Sequence, residues 1–274
     1  AEGGRQAFEV FDFGAARGWD SLFYSRGLGC RTLAVEGDPQ NAAWLRRVLR
    51  PSPARGLALQ HAVVVPDGFG AAAADFCIHG EPEWSRPAVD ASPGYCAELV
   101  RVPALSCAEI VQRHGLPSLY WKLDVEGAEL PCLRSLRVRL GPAGPAEGAL
   151  PRYLSLEPPG TAEGLAEVLG LLEGLGYRGF KLVPQQLWCG RRSVLGHYSS
   201  GPFGEEAVDA AAGRAWRTVG QVQGDILACR ALLRGRDTAP APVPSLQDPR
   251  TYLRSCALGH GHFDVHAARL AAQP

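Results

Sequence analysis

The sequence predicts an α/β fold, a doubly wound and mostly parallel sheet with helices on both faces. Three observations predict it. Between Phe8 and Val65 short apolar runs alternate with amphipathic stretches as strand, helix, strand, helix, strand, and parallel neighbours require such helical crossovers. Several of the runs end in an acid, as a strand does when it emerges from a core at a ligand-binding rim. The first run is also followed by a glycine turn, D-F-G-A-A-R-G, from Asp12 to Gly18.

Each element follows from local chemistry. FEVFDF (Phe8 to Phe13) is a short apolar run bounded by glycine and reads as a buried parallel strand. WDSLFYSRG continues it with Leu22, Phe23 and Arg26 at helical spacing. RTLAVE (Arg31 to Glu36) is the second strand. Asp38 stands at an N-cap position with Pro39 at N1, opening a helix that carries Trp44, Leu45, Val48 and Leu49 before Pro51. LALQHAVVV (Leu57 to Val65) is expected to be one strand, the third.

From Asp67 to Ser92 the chain is rich in Gly, Ala and Pro, with a short strand at DFCI, and reads as an excursion over the sheet edge or the ligand site. ELVRV (Glu98 to Val102) resumes the regular pattern, followed by a helix from Ser106 to His114 and the strand SLYWKLDV (Ser118 to Val125). A helix from Glu129 to Leu140, a Gly/Pro linker GPAGPAEG, the strand RYLSLE (Arg152 to Glu157), the helix EGLAEVLGLLEGLG and the strand GYRGFKLV complete the pattern. Beyond about residue 190 the chain is loop rich, with TAPAPVPS reading as an exposed linker. No internal repeat or second apolar core separates, so residues 1–274 read as a single domain with a decorated C-terminal part.

Composition narrows the partners. Lys plus Arg and Asp plus Glu both number 28, so no surplus of positive charge is available for nucleic acid or an anionic membrane. No uncharged apolar run is long enough to span a bilayer. The opening AEGGRQ lacks the apolar core of a signal peptide, and the chain has no Met. It is therefore expected to be cut from something longer, with any N-terminal targeting segment lost, and to work in the cytoplasm. The eight cysteines form no C-x-x-C pair and sit mostly beside apolar neighbours. Reduced structural thiols are expected, with disulfides as the alternative for a secreted form.

In an open α/β sheet the ligand lies beyond the carboxyl ends of the strands. Asp12, Glu36 and Asp124 all end strands there. A dinucleotide fingerprint would be G-x-G-x-x-G, yet this turn has Gly14 and Gly18 and no third glycine. An Asp before the cradle would repel a pyrophosphate but attract an ammonium and a sulfonium. S-adenosylmethionine is such a ligand, and Glu36 is well placed to accept from its ribose diol. The other reading of the same spacing is that the glycines merely turn strand into helix and the acids are solvated strand ends. In YWKLDVEGAEL (Tyr120 to Leu130), alternation puts Lys122, Asp124 and Glu126 on one side, a set suited to positioning an acceptor hydroxyl and handling its proton, or to a plain ion pair.

DFGAARGWDSLFYSRG, TLAVEGDP and YWKLDVEGAELPCL together resemble the FkbM family of S-adenosylmethionine-dependent methyltransferases. The likeness continues through YLSLE, LGYRGFKLV and SGPFGEE to FDVHA. It implies a Rossmann-like class I methyltransferase sheet of about seven strands, one antiparallel, and methyl transfer to a hydroxyl of a sugar or other small molecule. It further implies that Asp12, Gly14 and Gly18 hold the methionine part of S-adenosyl-L-methionine and Glu36 the ribose. Asp124 and Glu126 would lie at the reacting end. Ala15 in the turn, His61 on the third strand and Asp124 complete the cofactor-side set, and Lys122, Asp124 and Glu126 are the catalytic candidates. The expected partner is a small-molecule or glycan acceptor.

Other features are weighed beside these. HGHFDVH (His260 to His266) has three histidines and an Asp, but only His262 and His266 have the spacing of one helical face, so no metal is expected. Asp264 and His266 read instead as capping the fold or lining the acceptor pocket. SSGPFGEE (Ser199 to Glu206) is a lid or an ordinary loop, and Trp84 either stacks on a sugar or packs. The rival functions are a nicotinamide-dependent oxidoreductase on the same sheet and a non-catalytic module that keeps the fold.

Overall fold

The structure is a computed structural model and describes residues 8–50, 56–60, 62–63, 73–81, 84–88, 94–140, 150–184, 216–234 and 263–269. In chain order the strands are β1 (Val10–Phe13), β2 (Thr32–Glu36), β3 (Gly56–Gln60), β4 (Ala62–Val63), β5 (Ala73–Ile78), β6 (Arg86–Pro87), β7 (Glu98–Leu105), β8 (Tyr120–Leu123), β9 (Tyr153–Leu156), β10 (Gly179–Pro184) and β11 (Phe263–Ala268). The α-helices are α1 (Trp19–Leu22), α2 (Pro39–Leu49), α3 (Cys107–His114), α4 (Glu129–Leu140), α5 (Ala162–Gly174) and α6 (Val219–Arg234). The single helix expected after the glycine turn is α1 running into a π-helical turn, Phe23–Gly27.

Seven strands form the main sheet in the order β3-β2-β1-β8-β9-β11-β10. β11 runs antiparallel to both its neighbours, and the other pairings are parallel. This is the seven-stranded sheet with one antiparallel strand that the family resemblance implies. The chain first winds outward from β1 to β3, then returns to place β8 on the other side of β1. The winding therefore reverses between β1 and β8, and the crevice above their carboxyl ends is where such a sheet takes its ligand.

Alternation sorts the two faces. Phe11, Phe13, Leu33, Val35, Trp121, Leu123, Leu154 and Leu156 point into the larger core, where they meet Ile110 of α3, Leu133 of α4, Leu169 of α5 and Ile226 of α6. Their neighbours in sequence face the other way, toward α1, its π turn and α2, with Leu22 and Leu45 closing over Ala34. Helix starts follow their caps. Asp38 accepts from the backbone N–H groups of Gln40 (2.7 Å) and Asn41 (3.2 Å), as its place before Pro39 predicts, and Ser106 with Glu109 forms a capping box on α3.

Two expectations are corrected, the third strand and the cysteines, and two further expected strands take their places. LALQHAVVV is not one strand: β3 belongs to the main sheet, whereas β4 pairs with β7 in a second, four-stranded sheet ordered β4-β7-β5-β6. ELVRV is a strand as expected, part of β7, the long strand of that second sheet. DFCI lies on β5, whose Phe76 ring seats against Gly37, where a Cβ would come within 2.5 Å of it. The second sheet thus folds over the carboxyl end of β2. Cys77–Cys96 and Cys107–Cys132 form disulfides, which corrects the reading of these thiols as reduced. Pairing of β5 with β7 and packing of α3 on α4 bring their Cα atoms to 5.1 and 5.2 Å. Cys30 and Cys229 are buried and lie outside these two disulfides. Among the described residues no helix is long and apolar enough to cross a membrane. The linkers GPAGPAEG and TAPAPVPS and the loop SSGPFGEE lie outside the described residues, as do His61, Cys189, Cys256, His260 and His262.

Candidate functional site

The first wall of the site is the turn after β1. Gly14 has φ 75° and Ala16 φ 44°, and the N–H groups of Gly14 and Ala15 both donate to the Val35 carbonyl, at 2.9 and 3.1 Å. A Cβ on Gly14 would lie 1.5 Å from the Asp124 carbonyl oxygen, so only glycine lets the exits of β1 and β8 touch. Gly18 serves packing instead. It precedes α1 with φ 78°, and a Cβ there would meet Leu45 of α2 at 2.3 Å.

Glu36 ties this turn to α2. One carboxylate oxygen accepts from the Ala16 N–H and the other from the Asp38 N–H, each at 2.7 Å. Burial nonetheless pushes its pKa up to about 7, against the pull of those two backbone bonds. Asp38 in turn accepts from Ser85 Oγ at 3.3 Å, which links the second sheet's loop to the rim.

Beneath the rim lies a buried charge cluster. Lys122 Nζ is 3.1 Å from Asp20, 3.1 Å from Asp124 and 3.8 Å from Asp12. Burial works against its charge, but the carboxylates hold its proton well above the ordinary lysine range. Asp12 also accepts from Ser21 Oγ. Burial, partly offset by Lys122, pushes its pKa to about 6. Strand register sets these groups in one transverse row: Asp12 pairs with Lys122, Lys122 with Ser155, Ser155 with His266 and His266 with Lys181. All five residues are buried. Tyr120 joins the same face through a 2.5 Å bond with Ser155.

The third wall is the turn from β8 into α4. Asp124 donates its N–H to the Phe13 carbonyl at 3.0 Å. Glu126 sits at φ 53° and Gly127 at φ 97°. An ordinary side chain in the left-handed region is uncommon and belongs where surrounding structure dictates it. Here Glu129 dictates it, its carboxylate accepting from the N–H groups of Val125 (2.9 Å) and Gly127 (3.0 Å). Burial raises Glu126 to about 8, reinforced by Asp124 and Glu157, and raises Glu129 to about 8 and Glu157 to about 7.

Between these walls a cleft is lined by Gly14, Ala16, Val35, Glu36, Gly37, Phe76, Ser85, Pro87, Asp124 and Val125. Of the residues singled out from sequence, Gly14, Glu36 and Asp124 line it, with Ala15 in the turn and Glu126 beside Asp124. Asp12 differs from expectation: its side chain is wholly buried and faces α1, because alternation along β1 points it onto the sheet face rather than over the rim. Lys122 lies beneath the rim, and Gly18 packs on α2. Asp264 and His266 are buried on β11, a strand. Sequence reading missed Asp20, Glu129, Glu157, Phe76 and Ser85. Glu157 alone carried a visible signal, as a further acid ending a strand.

Comparison with known proteins gives one family match. Residues 12–178 match the family described as Methyltransferase FkbM domain. No curated protein matches the chain. Among solved structures, the precorrin-6y C5,15-methyltransferase of Geobacter metallireducens GS-15 is similar over 71% of this chain and 77% of its own, at 14% identity and a TM-score of 0.35.

Proposed function

Since the chain belongs to the FkbM methyltransferase family, we propose that it transfers a methyl group from S-adenosylmethionine to a hydroxyl of a sugar or other small molecule. One observation carries the cofactor assignment. The cleft is lined by two carboxylates, Glu36 and Asp124, and by no basic side chain among the described residues, which suits a cationic, phosphate-free nucleoside and disfavours the pyrophosphate of a nicotinamide cofactor.

In this reading Glu36 accepts from the ribose diol, the Gly14 turn lets backbone approach the ligand, and Asp124 faces its positive end. Phe76 and Pro87 close the apolar side. When bound, the cofactor supplies an electrophilic methyl group. The chain's own part is chiefly positioning. Lys122, tied to Asp12, Asp20 and Asp124, fixes the rim from below. Glu126, with a pKa near 8, is matched to removing the acceptor's proton in mildly alkaline solution. Two disulfides favour an oxidising compartment over the cytoplasm. The test is incubation with methyl-labelled cofactor and a panel of methyl glycosides and simple alcohols, read by mass spectrometry. Adenosylhomocysteine with a methyl ether product is expected; label on no hydroxyl across the panel counts against the reading.

A further inference from the structure

We propose that Trp84, backed by His79 and Tyr95, is a stacking platform for a pyranose ring that carries the accepting hydroxyl. The inference rests on the methyl-transfer reading above and adds to it the residues that choose the acceptor. Trp84 is 46% exposed, and its chain neighbours Ser85 and Pro87 line the cleft beside Asp124. An exposed ring at the edge of a reactive cleft is either incidental or a contact surface, and its supports decide between the two.

Those supports are numerous. Tyr95 Oη donates to the Trp84 carbonyl at 2.6 Å. The His79 ring lies 5.2 Å from the Trp84 ring and 4.6 Å from that of Tyr95. The Arg86 guanidinium sits 4.0 Å over the Tyr95 ring. Ser85 Oγ accepts from the His79 N–H at 3.1 Å and donates to Asp38. The Cys77–Cys96 disulfide staples β5 to the residue after Tyr95. A ring fixed in this way offers a large rigid face whose ordering cost is already met before a ligand arrives.

The chemistry beside the ring's supports names the occupant. Glu126 lies close enough to Arg86 and Tyr95 for their charges to influence one another. Asp124 and Glu157 flank it. Burial holds Glu126 and Glu157 above the ordinary carboxylate range, so near neutral pH the pair holds protonated and ionised forms and donates as well as accepts. An apolar ring face beside carboxyls of both roles fits a neutral pyranose, with its flat C–H surface and hydroxyl rim. A flat aromatic acceptor such as a simple phenol would use the ring but bring a single hydroxyl to the carboxyls, where a pyranose brings several.

Saturation-transfer NMR on the full chain tests this, using methyl β-D-glucopyranoside and methyl α-D-mannopyranoside as probes and p-cresol as the aromatic control, all with saturating adenosylhomocysteine. Transfer to at least one pyranoside is expected, falling at least fivefold in Trp84→Ala and largely restored in Trp84→Tyr, with adenosylhomocysteine affinity unchanged in both. Undiminished transfer in Trp84→Ala overturns the platform, as does transfer to p-cresol alone. Absence of transfer to either pyranoside while adenosylhomocysteine binds also overturns it and leaves the methyl-transfer reading standing. Failure of adenosylhomocysteine to bind overturns that reading, and this proposal with it.

Discussion

Replacing Glu36 with glutamine separates the two forces acting on that side chain. In the wild type both carboxyl oxygens accept backbone N–H groups, from Ala16 and Asp38, yet burial lifts the pKa from 4.5 to about 7. The folded protein therefore keeps a proton that the unfolded chain has lost, so stability is fullest below pH 4.5 and declines as pH rises through 7. At about 1.4 kcal/mol per pH unit, the decline from Glu36 alone approaches ~3 kcal/mol across that window. Glutamine cannot ionise, so Glu36→Gln should gain roughly that much relative to wild type between pH 5 and pH 8.5, or about 6–12 °C in melting temperature for a chain of this size. At pH 5 the variant should be the less stable of the two, because both N–H groups need acceptors and the amide nitrogen offers none, whereas a protonated carboxyl keeps lone pairs on both oxygens. Urea and thermal unfolding of the cofactor-free proteins at several pH values provide the assay. A gap between variant and wild type that stays constant from pH 5 to 8.5 refutes the reasoning.

Three further outcomes follow from the same geometry. Gly14→Ala forces a Cβ onto the Asp124 carbonyl at φ 75°, so the strand ends must part, and both cofactor affinity and melting temperature should fall sharply in calorimetry. Lys122→Met leaves Asp12, Asp20 and Asp124 facing one another without their cation. Removing one side of a buried ion cluster costs ~3–5 kcal/mol, readable as a drop in urea midpoint at pH 7 that shrinks toward pH 4 as Asp12 takes up its proton. If Glu126 is the base, kcat/KM should rise with pH to a plateau, with an apparent pKa near 8, and Glu126→Gln should remove that limb and lower the rate about 100-fold or more; an unchanged profile assigns the proton elsewhere.

What could be read from sequence was what is decided locally. β1, β2 and α2 declared themselves because an apolar run, a terminal acid and an Asp-Pro cap act within a few residues of one another. The pairing of Asp12 with Lys122 was not readable, since it depends on β8 inserting beside β1, a consequence of sheet order rather than of either segment. Asp20 joined that cluster from α1, where its acid looked like any other in a first helical turn. The second sheet was hidden for a related reason. LALQHAVVV holds no glycine or proline, and its polar pair Gln60-His61 reads as two positions within one strand as readily as the place where the chain leaves one sheet for another. The disulfides needed the same knowledge, because Cys77 and Cys96 are 19 residues apart and meet only through the β5–β7 pairing. Asp12 was placed at the rim by its position at a strand end, and the alternation that turns it beneath α1 was the overlooked constraint.

The central claim is that this acidic cleft holds a cationic, phosphate-free nucleoside. Parallel calorimetric titrations with S-adenosylmethionine and NAD at pH 7, in buffers of different ionisation enthalpy, test it most directly. The account predicts saturable binding of S-adenosylmethionine alone, with net proton release from carboxyls such as Glu36 as the cation enters, and weaker binding in Glu36→Gln and Asp124→Asn. Binding of NAD in preference, or S-adenosylmethionine affinity indifferent to both substitutions, would contradict it.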